Sequence, residues 1–167
     1  MRIATRHRQG GFSLIELTVA TAIYSMGLGS LSLMMLLAVG GTTDARFETT
    51  AAMQLSSLAE MILMNPGGAT HYAAAPEGYE GPACDFGHAC TAEEMAAWQM
   101  ATWRRALASQ LPRGRGLVCR DGSPDDGSDG DTACDGQGGE VIKLFWQPSV
   151  TPVEEPGRPA RRVLRLP

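Results

Sequence analysis

The sequence has no charged residue between Leu17 and Thr43 and no proline before Pro66. The first absence argues against an ordinary water-facing segment, because 27 consecutive uncharged residues exceed the roughly 20 that cross a hydrocarbon core as helix. The second removes the commonest helix breaker. Residues 12–64 are therefore free to form one continuous helix, about 80 Å long at 1.5 Å per residue. Catalytic residue types are scarce too: of three histidines only His71 and His88 lie beyond the N-terminal segment, and no Gly-x-Ser-x-Gly, glycine-rich phosphate loop or His-Glu-x-x-His pattern occurs. These absences argue against an enzyme. No internal repeat is visible, and the single low-complexity stretch is an Asp/Gly-rich loop at 121–139.

What is present fits one helix-anchored domain of modest size: 167 residues, 44% of them hydrophobic. Arg2, Arg6 and Arg8 stand immediately before the apolar run, which by the positive-inside rule leaves the N-terminus in the cytoplasm and everything after about Gly41 on the far side. Without those three arginines the chain keeps 11 basic residues against 18 acidic ones, a net charge of −7. Such a body is no general nucleic-acid binder. One feature conflicts with a plain membrane anchor. Glu16 lies inside the apolar block that begins at Phe12, where an unpaired charge costs at least a few kcal/mol.

The stretch Gly10-Gly11-Phe12-Ser13-Leu14-Ile15-Glu16-Leu17-Thr18-Val19 resembles the type IV pilin signature: a short basic class III leader ending in Gly, then Phe, then Glu at the fifth position. The resemblance implies cleavage by prepilin peptidase between Gly11 and Phe12, N-methylation of Phe12, and an assembly role for Glu16. It divides the chain into a leader at 1–11, a long helix at 12–65 with its transmembrane part at about 12–41, and a periplasmic or extracellular globular domain at 66–167. An ordinary secretory signal would cut after its apolar core, near Ala38-Val39-Gly40. That alternative leaves Glu16 unexplained, and its apolar region would usually be only 7–15 residues long.

Beyond Asp44 the pattern Phe47, Ala51, Leu55, Leu58, Ile62 gives one apolar face of an amphipathic helix. Gly27 and Gly29 each weaken the helix by about 1 kcal/mol relative to Ala, which suits either close helix packing in lipid or, on the pilin resemblance, a segment that unwinds in a filament. Asn65-Pro66-Gly67-Gly68 ends the helix. After a loop through Cys84 and Cys90, Thr91-Ala92-Glu93-Glu94 reads as a capping box opening a second helix at about 92–110. Its main stripe is Ala96, Met100, Trp103 and Leu107, with Met95, Trp98 and Thr102 on a neighbouring one. Strands are expected at 117–120, 141–146 and 162–166. The sum is an α+β domain with three or four antiparallel strands.

Met61-Ile62-Leu63-Met64-Asn65-Pro66, Tyr72, the helix start from Glu94 to Trp98, Leu111-Pro112 and a strand ending in Trp146 are collinear with the PilV-type minor pilins, also called type IV pilus modification proteins. This resemblance implies the type IV pilin fold and an accessory subunit that primes or caps pilus assembly. Its partners would be prepilin peptidase, other minor pilins and the major pilin, with the inner membrane holding it before assembly into the pilus. Two other readings share features with it. A pseudopilin of type II secretion would carry the same leader and Glu16. A DNA-binding pilin acting in uptake is suggested by Arg158, Arg161, Arg162 and Arg165, with Arg161 and Arg165 on one face of a strand.

The four cysteines lie on the side where disulfides persist. Of three connectivities, the one that follows sequence proximity is Cys84 with Cys90 and Cys119 with Cys134. Cys84, His88 and Cys90 as metal ligands lack a fourth partner and the usual spacing. Asp121, Asp125, Asp126, Asp129, Asp131 and Asp135 could offer oxygens to calcium, yet no EF-hand frame fits: from Asp129, Asp131 and Glu140 match but Ala133 and Cys134 do not. The expectation is a solvated loop, with no metal and no cofactor.

Overall fold

The computed structural model describes Gly11 and residues 13–81, 83–85, 87–128, 130–149 and 159–167. The chain divides into two compact units, Met1–Gly40 and Gly41–Pro167. Helix α1, Leu14–Met64, runs through both. Its start lies at Ser13, whose carbonyl accepts from the backbone amides of Glu16 and Leu17 and whose Oγ accepts from Ile15 N at 3.2 Å.

In the first unit the helix is exposed along its length, with Leu14, Ile23, Met26, Met34 and Leu36 each more than 60% open. It is long and apolar enough to cross a membrane. Its serine and threonine hydroxyls are already satisfied: Thr18, Thr21, Ser25, Ser30 and Ser32 each donate to a helix carbonyl three or four residues back, at 2.8–3.0 Å. Lipid offers no hydrogen-bond partner, so this back-bonding makes five polar side chains compatible with a hydrocarbon solvent.

In the second unit the rest of α1 supplies a core stripe. Ala51, Leu55, Leu58 and Ile62 are buried, with Phe47 half-buried beside them. The globular unit thus begins well before residue 66, because the helix face from Phe47 onward is part of its core. Helix α3, Ala92–Gln110, opens on the capping box of Thr91 and Glu94 and buries Ala96, Met100, Trp103 and Leu107. Trp103 Nε1 donates to the Gln54 carbonyl on α1 at 2.9 Å, so the largest core side chain also fixes the register of the two helices. Between them the expected loop contains a 3-10 turn, Pro66–Gly68, and a short helix α2, His71–Ala74. Asn65 explains the order there: its Nδ2 donates to Ala92 O at 2.8 Å and reaches the buried Tyr72 hydroxyl, which also contacts Gln99 and Met61 O.

Three antiparallel strands follow in the order β1-β2-β3: Arg115–Asp121, Gly139–Trp146 and Ala160–Arg165. Each spans more than the sequence pattern marked at its N-terminal end, since pairing with β2 draws Arg115, Gly116 and Ala160 into the ladder. Gly116 sits where a Cβ would fall 2.3 Å from the Trp103 ring, so the helix can approach β1 only over a glycine. Val118, Ile142, Leu144 and Trp146 face the helices and complete the core. The proline-rich segment from Pro148 to Pro159, which the sequence pattern reads as a turn into the last strand, falls mostly on residues 150–158, outside those described.

Candidate functional site

Two places concentrate groups of unusual placement. The first is the N-terminal signature. Gly11 is exposed, Phe12 and the leader residues 1–10 lie outside the described residues, and Glu16 stands in the first turn of α1, exposed, with its carboxylate at the positive end of the helix dipole. Glu16 is the one ionisable carboxylate in the segment from Leu14 to Thr43.

The second place was not foreseen. Lys143, the single lysine of the sequence, lies mid-strand in β2 with its side chain fully buried. The register sets Leu117 and Val163 on either side of it, and strand alternation puts Val141 and Phe145 on the same face. This is the sheet face opposite the helices, and the loop after β1 covers it. The Lys143 ammonium contacts the carboxylate of Asp121, whose side chain is equally buried, and lies 2.8 Å from Thr132 O and 3.2 Å from Asp126 Oδ1. Arg161 reaches the same loop, donating to Gly127 O at 2.7 Å and to Asp125 O.

The aspartate-rich loop is mostly exposed, as expected of a solvated loop, but it is anchored where Asp121 is buried against Lys143. Its carboxylates are largely used at home: Asp121, Asp131 and Asp135 each accept from the backbone N–H two residues on, at Ser123, Ala133 and Gln137. Pro124 is buried, and Gly127 turns the chain at φ 85°, where a Cβ would meet the Thr132 carbonyl. The ammonium supplies the positive charge that a bound cation would otherwise bring to these oxygens. The Lys143 ammonium, and secondarily the Ser123 amide, hold the Asp121 carboxyl below the usual carboxylate range against the opposing effect of burial. One signal was in the sequence: a lysine within the continuous apolar run Val141–Trp146 means a strand covered on both faces, and a buried ammonium requires an anion nearby.

The cysteines pair as Cys84 with Cys90 and Cys119 with Cys134. The second bridge ties β1 to the loop over Lys143. The first leaves no thiolate for a metal beside His88, and the neighbouring Glu94 carboxylate is bound to Thr91 N at 2.8 Å. Those Thr91 bonds hold the Glu94 carboxyl below its ordinary range, with the charge of His88 a smaller contribution. A group so lowered stabilises the fold above the unfolded value, about 4.3, and that contribution is lost as pH falls through the depressed folded value. The first turn of α3 is therefore expected to loosen only below about pH 4. In an NMR titration, Thr91→Ala should move Glu94 back up toward the ordinary range; an unmoved titration would refute the capping role.

The register puts Arg161 and Arg165 on one face of β3, with Arg165 exposed. Arg161 serves the loop, Arg162 pairs with Glu48 of α1 at 2.7 Å, and Arg158 lies outside the described residues. A cleft of about 300 Å³ between Glu77, Arg104 and Arg115 has its deepest cation, Arg104, committed to the Ala75 and Pro76 carbonyls. Burial lowers the Arg104 pKa, and Glu77 partly offsets this.

Comparison of the chain with protein-family models, with curated proteins and with solved structures finds no match.

Proposed function

We propose that the chain is a minor type IV pilin of the PilV type, an accessory subunit that primes or caps pilus assembly. The observation that carries the reading is the Gly11-Phe12 junction followed by Glu16 at the head of a helix. The exposed apolar half of that helix suits lipid, and its second half is the spine of a small α+β unit. The long N-terminal helix, the shorter helix and the three-stranded antiparallel sheet fit the type IV pilin layout. In this account the protein is inserted with its N-terminus in the cytoplasm, cut by prepilin peptidase, methylated on Phe12 and passed with other minor pilins into the pilus. Its own chemistry is structural. The disulfides fit a periplasmic or extracellular domain, where such bonds persist.

Leader removal tests the reading. Gly11→Val places a β-branched side chain directly before the scissile bond and is expected to leave residues 1–11 attached, seen as a heavier band and mass in membranes that also contain prepilin peptidase. Cleavage of this variant at the normal position would count against the assignment of the junction.

A further inference from the structure

The Lys143 site has the components of an amide-forming centre as well as those of an ion pair. A buried primary amine faces a buried carboxyl, and a second acidic group, Asp126, touches the amine while remaining half-open to solvent, its side chain 48% exposed. Asp126 is itself oriented: its Oδ2 accepts from Ser123 Oγ at 2.9 Å and its Oδ1 faces Lys143 Nζ at 3.2 Å. The Asp121 carboxyl is held from the other side. Its Oδ1 accepts from Ser123 N at 2.9 Å, while Oδ2 faces the ammonium. Apolar side chains flank the amine on its own strand and on both neighbouring strands. The two groups are held in contact with water largely excluded, and a condensation that expels water is favoured there over the same reaction in solvent.

We propose that Lys143 and Asp121 are joined by an intramolecular isopeptide bond, with Asp126 as the proton carrier. Asp126 takes one proton from the Lys143 ammonium and delivers it to Asp121 Oδ2, leaving a neutral amine against a neutral acid. The Nζ lone pair then forms a bond to Asp121 Cγ. Oδ1, held by the Ser123 amide, carries the developing negative charge. Asp126 moves a second proton from nitrogen to Oδ2, the Cγ–Oδ2 bond breaks, and one water leaves. The balance is one ammonium and one carboxylate giving one amide and one water, with Asp126 restored as carboxylate and no oxidant or co-reactant consumed. The bond would link the end of β1 to the middle of β2 beside the Cys119–Cys134 bridge, a second covalent tie across the same loop.

The test is the intact mass of the full chain, purified in detergent and with its disulfides reduced, followed by proteolytic mapping. The wild type is expected to be lighter than its sequence by one water and to yield one branched peptide containing both Asp121 and Lys143. Asp126→Asn, at a half-exposed position outside the core, is expected to regain the missing water while keeping the near-UV circular dichroism of the folded chain. A wild type at full mass overturns the proposal. So does a water loss without a branched peptide, the result a succinimide at an Asp-Gly pair would give. Undiminished cross-linking in Asp126→Asn would remove Asp126 from the chemistry.

Discussion

Glu16→Ala is expected to abolish recovery of the protein in sheared pili while leaving leader cleavage and thermal melting of the globular unit unchanged. The carboxylate sits where lipid makes a lone charge expensive, so it seeks a cation. Cleavage before Phe12 creates one, the new terminal amine. Within a single helix the two would be four residues, about 6 Å, apart along the axis, and between neighbouring subunits the same pair can form at contact distance. Removing one partner of a charge pair in low dielectric costs roughly 3–5 kcal/mol, reduced where water or headgroups penetrate. The core of the globular unit draws on residues from Phe47 onward, so its melt has no reason to follow Glu16. Normal recovery in pili would refute the assembly role, and a changed melt would contradict the separation of anchor from fold.

Lys143→Met is expected to be the most damaging single change in the globular unit. Methionine matches the length of the stem but removes the charge, leaving the Asp121 carboxylate buried without its partner and the carbonyls of Asp126 and Thr132 without a donor. Breaking a buried pair in this way costs about 3–5 kcal/mol, a large share of the 5–15 kcal/mol typical of a whole domain. Urea unfolding of the full chain in detergent should show a much earlier midpoint. Adding Asp121→Leu should recover part of the loss, because it removes the orphaned charge. A single variant as stable as wild type would mean that the loop is held by the Cys119–Cys134 bridge and Arg161 alone.

The helices were legible in the sequence because their signals are local. The stripe Ala51, Leu55, Leu58, Ile62 and the stripe Ala96, Met100, Trp103, Leu107 are the residues the fold buries, and Thr91 with Glu94 marks the start of α3 within one residue. The strands were legible at their apolar centres but not at their ends, where partner strands decide. The turn and short helix after Pro66 were hidden because Asn65 orders them through Ala92 and Tyr72, contacts 27 and 7 residues away. The loop over Lys143 was hidden for a similar reason. Its composition reads as solvated, as most of it is, and only the partner lysine, 22 positions after Asp121 and 17 after Asp126, turns the first carboxylate inward and engages the half-exposed second. The partner of Arg162 was hidden likewise, since a row of like charges says nothing about Glu48 waiting on α1.

The mature N-terminus tests the central claim most directly. Mass spectrometry and terminal sequencing of the protein from its native membrane should find a chain that begins at an N-methylated Phe12. A chain that begins near Thr42, or one that still carries residues 1–11 in cells with active prepilin peptidase, would contradict it.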